Sequence, residues 1–429
     1  MAGLSFDDTR VAAGPLRWLY VDFNSYFASV EQQLNPALRG KPVMVVPVMT
    51  DSTSAIAASY EAKALGIRTN TPVYEARRIC PDVVCVLANH EHYVAYHQRI
   101  LVEIERHIPV TVVCSIDEVA CYLKGNENSV AQATALAGRI KAGLAANVGE
   151  YVRCSIGLAP NKYLAKIATD LKKPDGLTVL HGHEALQRLA ALKLTDMPGV
   201  GRNMEKRLHQ SGIFTMEQLL RLSARQMRNV WGGVWGERLW YMLRGLEVEL
   251  APTSRSSVGH SHVLAPSLRP PEEARFVARR LTIKAASRLR RMGYYATALA
   301  LSVRCEDGTR LGIEMRCERS QDNHRFLHML QEGWLALMRE MGARRLKKVS
   351  VTLHGLESEA ALQTDLFSTQ PVTTIDRGKR ERMARAMDAL NHRYGRDTVS
   401  LGMLPSQGRS FSGTKVAFTR IPDVAEFFE

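Results

Sequence analysis

Leu19-Tyr-Val-Asp-Phe-Asn-Ser-Tyr-Phe27 is the stretch on which the fold turns. Its apolar, aromatic and β-branched opening reads as a buried strand, interrupted near its end by the carboxylate of Asp22. A second strand-like run carries Cys114-Ser-Ile-Asp-Glu-Val119, where Asp117 and Glu118 are adjacent. Neighbouring side chains of a regular strand point to opposite faces, so this pair shares one site only at a strand end or irregularity, and a tight turn is expected there. Three carboxylates brought together repel and are driven to protonate unless a cation neutralises them. Hard oxygen donors without nearby Cys or His favour Mg²⁺. With two ions such a cluster suits phosphoryl transfer, one lowering the pKa of an attacking hydroxyl and the other steadying the leaving phosphate oxygens. Taken singly, each carboxylate has a bland reading as a solvated or turn-capping group.

Outward from these segments, residues 18–23, 42–49, 83–88, 110–123 and 152–158 read as strands, and 25–34, 91–107, 128–147 and 161–170 as helices. The alternation predicts a mixed sheet with helices packed on one face. Beyond Gly176 the spacing is helical and includes Met197-Pro-Gly-Val-Gly-Arg-Asn-Met-Glu-Lys-Arg-Leu208. Gly199 and Gly201 allow a tight bend that leaves backbone N–H groups uncovered at the next helix, beside Arg202, Lys206 and Arg207, where a phosphate can sit. An ordinary interhelical turn is the alternative. Trp231 to Trp240 reads as a second helical turn that serves packing.

From Thr253 to Glu357 the pattern becomes strand, long helix, two strands, helix, strand, and this module holds 19 Lys and Arg against 10 Asp and Glu. Arg279, Arg280, Lys284, Arg288, Arg290 and Arg291 follow one helix closely enough for a basic stripe suited to phosphates. A solvated helix face is the alternative, weakened by the missing acidic partners four residues on. A polar stretch then carries Gln363-Thr-Asp-Leu-Phe367, before a helical segment near 377–394.

The chain has 429 residues, 45% of them hydrophobic, enough for two to four domains with buried cores, and a formal charge of +14 that calls for a polyanionic partner. No apolar run approaches the roughly 18 residues of a spanning helix, and Asp7 and Asp8 sit where a signal core would lie, so a soluble, cytoplasmic protein is expected with no membrane partner. Seven cysteines form no Cys-x-x-Cys pair, fall largely within apolar strand-like runs and read as buried thiols in a reducing compartment. His90, His92 and His97 lack the spacing of a helical zinc motif and read as solvated helix residues.

The segments around Asp22 and Asp117-Glu118, together with Ala58-Ser-Tyr-Glu-Ala-Lys-Ala-Leu-Gly66 and Pro160-Asn-Lys-Tyr-Leu-Ala-Lys-Ile-Ala-Thr-Asp-Leu-Lys-Lys-Pro-Asp-Gly176, resemble the Y-family translesion DNA polymerases in order from about 17 to about 404. Residues 160–176 look like the polymerase IV type, while Asp22-Phe-Asn, Ala62-Lys63 and the C-terminal region look more like the polymerase V catalytic subunit. The resemblance implies an α/β and α+β multidomain fold, a right-hand polymerase. Its palm would cover 17–29 and 84–176, small fingers 30–83, a helical thumb with a helix-hairpin-helix 177–250, a little finger 253–357 and a C-terminal tail 358–429. It implies two Mg²⁺ ions held by Asp22, Asp117, Glu118 and the Phe23 carbonyl, with primer-template DNA and a dNTP as substrates. Tyr60, Lys63 and Lys173 fall where the triphosphate is met, and Phe27 where a steric gate excludes the ribose 2′-hydroxyl. Lys63 departs from an arginine common in polymerase IV types, exchanging a bidentate fork for a compact charge. Ala57 stands where some relatives have a hydroxyl, and Asn24 replaces a second Asp without removing a required ligand. Gln363, Leu366 and Phe367 resemble the motif that docks on the bacterial sliding clamp, and a polymerase V type would also need accessory SOS proteins. The implied activity is low-fidelity, weakly processive synthesis across damaged template, without proofreading. Two rivals stand: a noncatalytic accessory protein of the same fold that recruits other polymerases to the clamp, and a DNA-binding repair module built on the helix-hairpin-helix.

Overall fold

The computed structural model describes residues 15–249, 255–359, 371–395, 398–402 and 421, except 52, 182 and 343, and the backbone alone of 183, 184 and 371–377. The chain divides into two compact units between Leu250 and Ala251. In chain order the first contains β1 (Trp18–Phe23), α1 (Tyr26–Leu34), β2 (Val43–Val46), β3 (Ala57–Ala58), α2 (Tyr60–Ala64), α3 (Val73–Ile79), β4 (Val84–Leu87), α4 (His90–Glu105), β5 (Val112–Val113) and β6 (Glu118–Tyr122). It continues with α5 (Val130–Asn147), β7 (Cys154–Ala159), α6 (Lys162–Leu171), β8 (Leu177–Val179), α7 (His183–Ala190), α8 (Arg202–Gln210), α9 (Met216–Leu220), α10 (Ala224–Trp231) and α11 (Val234–Leu243).

Five strands form the main sheet in the order β5-β6-β1-β7-β8, antiparallel except for the β7–β8 pair. Every residue of β1 and β7 is buried. Strands without an exposed residue need cover on both faces, which replaces the expected single helical layer. Trp18, Tyr20, Ala120 and Ala159 pack against α6 and, beyond it, the cluster built by α7 to α11. On the other side α5 runs along β7 and β8, with α4 beside it. The approach of α6 is set by Gly157, directly across from Tyr20: a Cβ there would lie 2.0 Å from the Ala165 carbonyl oxygen. Only glycine lets the helix come this close. A separate sheet, β3-β2-β4, has its own small core of Met44, Val46, Ala58, Ile67 and Val73 under α2 and α3.

The second unit contains β9 (Ser257–Val263), α12 (Pro271–Arg291), β10 (Tyr294–Cys305), β11 (Arg310–Ser320), α13 (Asn323–Met341), β12 (Leu346–Ser358) and α14 (Pro371–Tyr394). The first six elements follow the order read from the pattern. Their antiparallel sheet, β11-β10-β12-β9, buries Leu299, Leu301, Val303, Val349, Val351 and Leu353 against α12 and α13. Helix α14 begins earlier than the sequence suggested and contacts both α12 and α13. Arg290, counted above in a basic stripe, is instead buried and holds α14: its guanidinium donates to both Asp388 oxygens (2.7 and 2.9 Å), the Gln321 carbonyl and Asn323 Oδ1. A buried guanidinium is tolerated only with its donors satisfied, and Asp388 lies too far along the chain for local pattern to reveal it.

All seven cysteines are unpaired, but only Cys121, Cys154 and Cys305 are buried as expected, the other four being half-buried. Among the described residues no helix is long and apolar enough to cross a membrane.

Candidate active site

The expected turn is present. β5 and β6 form a hairpin whose bend is Cys114–Asp117, closed by N–H groups of Cys114 and Ser115 on the Glu118 carbonyl (2.9 and 3.2 Å). Asp117 lies in this bend and Glu118 opens β6, directly across from Asp22 in the antiparallel register. Asp22 and Glu118 therefore share a sheet face, the one covered by α6. The Phe23 N–H donates to the Asp117 carbonyl (2.9 Å), tying the bend to the end of β1. Ser115 Oγ donates to Asp117 Oδ1 (2.6 Å), and the Tyr20 hydroxyl donates to Glu118 Oε2 (3.0 Å).

Burial raises the Asp117 carboxyl above its usual range, and the charges of Asp22 and Glu118 push it further. The electrostatic coupling of the three carboxylates is thus direct. Among the described residues, however, no three His, Cys, Asp or Glu side chains close on one point at metal-ligand distance. A lysine holds that place. The Lys166 ammonium contacts Asp22 Oδ2, lies 2.8 Å from Glu118 Oε1 and 3.6 Å from Asp170. Lys173 lies 2.9 Å from Asp22 Oδ2 and 2.7 Å from Asp170 Oδ1. Burial works against the charged form of Lys166, but the fields of Asp22, Glu118 and Asp170 outweigh it and hold the ammonium above the usual lysine range. Oxygen donors alone, a carboxyl strained by like charge and an ammonium seated between Asp22 and Glu118 all suit a hard divalent cation.

Lys166 and Asp170 were missed by sequence reasoning. Their signal was available: 166 and 170 stand at i and i+4 on one face of the helix that Gly157 admits to the sheet, and a further lysine follows at 173 just beyond the helix end. Lys173 follows α6 in a turn pinned from below. The Asp175 N–H donates to Asn24 Oδ1 (2.7 Å), the Gly176 N–H to Ser155 Oγ (3.2 Å), and Asn24 Nδ2 to the same hydroxyl (3.1 Å). Asn24 is thus a scaffold for the lysine turn.

From the smaller sheet, Ser59 caps α2 by accepting the Ala62 N–H (3.3 Å), and the first turns present Tyr60 and Lys63, whose ammonium stands 4.5 Å over the Tyr60 ring. Burial and then the neighbouring Lys173 charge pull Lys63 below the usual lysine range. Burial raises the Tyr60 hydroxyl, with Lys173 opposing. An ammonium depressed by a neighbouring ammonium marks a place that a polyphosphate would relieve. Ala57, on β3, is buried. Phe23 ends β1 with its ring against Tyr26, and Phe27, in the first turn of α1, is buried and stacked on Tyr93 with ring centroids 4.3 Å apart.

Gly199 adopts φ +89°, a conformation that favours glycine, and Gly201 precedes α8 without any side-chain cap. Gly201 and Arg202 are exposed, so the first N–H groups of α8 face outward. Arg207 does otherwise, donating to the Trp231 carbonyl (3.1 Å).

In the second unit Arg279 is half-buried and donates to the Leu401 carbonyl (3.0 Å). Arg280, Lys284 and Arg288 recur every four residues along α12, with Arg280 close enough to His262 on β9 to help burial lower that imidazole's pKa. The opposite side of the sheet offers another surface. Its register places small residues in rows, Ala300-Thr352-Gly259 with Glu314 at its edge and Gly312-Ser302-Ser350-Ser261, ending in Arg310-Arg304-Lys348. Arg304, Arg310 and Arg316 are exposed. Gln363, Leu366 and Phe367 lie outside the described residues.

Residues 21–170 match the model of the impB/mucB/samB family, residues 255–366 that of its C-terminal domain, and residues 195–247 that of the DNA polymerase-iota thumb domain. The chain is 33% identical over 392 residues to a DNA polymerase IV of Moorella thermoacetica, covering 89% of this chain and 94% of the relative. It is 29% identical to DNA polymerase IV 1 of Bacillus subtilis over 89% of this chain and 92% of that one. In fold it is similar to a solved Y-family DNA polymerase chimera of Dbh and Dpo4, with a TM-score of 0.68 and 24% identity over 79% of this chain and 99% of the chimera. It is also similar to an insertion ternary complex of Dbh DNA polymerase, with a TM-score of 0.53 and 25% identity over 79% of this chain and 98% of that one.

Proposed function

This chain belongs to the Y family of DNA polymerases, and from that premise we propose a template-directed, low-fidelity translesion enzyme that joins dNMP units to a primer 3′-hydroxyl. The observation that carries the chemistry is the register that sets Asp22 across from Glu118, with Asp117 in the adjoining bend. Asp22, Asp117, Glu118 and the Phe23 carbonyl would hold the two Mg²⁺ ions. Bound there, the ions would acidify the primer hydroxyl and neutralise the departing pyrophosphate oxygens.

The chain's own residues supply the rest. Lys173, Lys63 and the Tyr60 hydroxyl line the side of the site from which a triphosphate would be gripped, where fixed donors stabilise charge on the leaving group. Lys166, together with Lys173 on Asp22, offsets the charges of Asp22 and Glu118 in the protein, which lets two carboxylates share a largely buried face. Phe27, locked by its stack on Tyr93, is a rigid wall suited to refusing a 2′-hydroxyl by volume and by offering it no hydrogen bond. The open N-terminus of α8 supports a phosphate grip without base reading, and the small-residue sheet face with its basic end supports a second backbone contact. Clamp tethering rests on Gln363, Leu366 and Phe367, where two apolar side chains follow a glutamine.

Primer extension by the purified chain with Mg²⁺ tests this reading. The native protein should extend a primer past an abasic or adducted template base, and Asp117→Ala should lose at least about 10³-fold in rate. Equal extension by native and D117A protein, or none by either, would refute it.

A further inference from the structure

His97, expected to be solvated, is 2% exposed in the middle of α4. Its Nδ1 lies 2.8 Å from the Ile116 carbonyl oxygen. A carbonyl only accepts, so Nδ1 must carry the proton, and Nε2 is buried without a hydrogen-bond partner. Burial also keeps the ring's pKa below the ordinary histidine value, consistent with a neutral imidazole donating once.

The carbonyl of Ile116 and the N–H of Asp117 belong to one rigid peptide plane. That plane is gripped at both edges. His97 holds its oxygen, and the Asp117 N–H donates to Ser115 Oγ (3.4 Å), whose own proton goes to Asp117 Oδ1 (2.6 Å). The other ties of the bend, on the Glu118 carbonyl and from Phe23, come from the strands that carry the carboxylates themselves. The His97 bond comes from a separate element and sets the plane from which the Asp117 side chain departs.

We propose that His97 is a positioning residue for nucleotidyl transfer, fixing the Ile116–Asp117 peptide and thereby the direction of the Asp117 carboxylate. This rests on the polymerase reading above. His97 touches no reacting group, so its removal acts on turnover and leaves triphosphate and DNA contacts in place.

The test uses the full chain with two substitutions. His97→Leu fills similar volume without a donor, and His97→Asn keeps an N–H near the position of Nδ1. In primer extension H97L should lose roughly 10- to 100-fold in kcat, the range typical of groups that orient a metal ligand from behind. Its KM for dNTP and Kd for primer-template should stay unchanged, and H97N should recover most of kcat. A kcat for H97L equal to native, or H97N no better than H97L at equal melting temperature, would overturn the proposal. If H97L fails to fold, native against H97N and a long-range ¹H–¹⁵N spectrum of the native chain decide it. The proposal expects His97 as the Nδ1–H tautomer with a protected proton, and an Nε2–H tautomer overturns it. That spectrum stands apart from catalysis: a native chain that extends no primer would refute the polymerase reading, while the tautomer would still report on the bond.

Discussion

The two large sheets use the same strand chemistry to opposite ends. In the N-terminal unit the central strands are covered on both faces, and polar chemistry is confined to their ends, where Asp22 and Glu118 meet Lys166, Asp22 also meets Lys173, and Asp117 lies in the adjoining bend. In the C-terminal unit helices cover one face and leave the other as alternating small and basic residues. Enclosure raises the strength of each charge pair and makes every misplaced atom costly. A half-open sheet keeps charges in water, where each contributes little by itself and a broad polyanion can collect several.

At the charged site the largest effect on stability is expected from removing the lysine that lies between Asp22 and Glu118. Lys166→Met should cost about 2–3 kcal/mol in chelator, somewhat below the loss usual for one partner of a buried ion pair, because Lys173 still faces Asp22. Mg²⁺ should return much of that stability if the carboxylates take it up, and denaturant melts with EDTA and with Mg²⁺ read both effects. A variant as stable as native without metal would show that the ammonium does not neutralise Asp22 and Glu118.

A paired glycine experiment sharpens the packing side. Gly157→Ala puts a methyl 2.0 Å from a backbone oxygen of α6 and should cost about 3 kcal/mol. Gly312→Ala on the open sheet face meets nothing closer than 3.4 Å and should stay within about 0.5 kcal/mol. Similar melting for the two would deny that the enclosed sheet is the more constrained. The smallest effect belongs to the open face: Arg304→Ser, Arg310→Ser and Lys348→Ser should each weaken primer-template binding across sequences and reduce the slope against log salt by about 1. Titrations at several salt concentrations check this, and an unchanged slope in the triple variant would place the DNA elsewhere.

Much of the architecture was legible along the chain. The strand, helix, strand, strand, helix, strand order of the second unit follows from apolar periodicity, and the bend at 114–117 from the impossibility of two adjacent strand residues sharing a face. The face count of the first sheet was misread because a continuously apolar strand carries no alternation to show how many of its sides are covered. His97 and Arg290 were misread for a related reason. Each sits in a helix among polar neighbours, and each is buried because of an acceptor far away in sequence, the Ile116 carbonyl in one case and Asp388 in the other.

By itself the amino-acid sequence determined which residues could gather at strand ends and the family to which the motifs belong, since these depend on local period and residue type. The tertiary structure decided which ammonium lies between the carboxylates, which arginine is buried inside the fold, and which histidine meets the Ile116 carbonyl. Those are pairings between elements whose partners lie 19 to 144 residues apart in the closest-held cases of His97 and Lys166, and a charge or donor finds its counterpart only after packing has brought the two together.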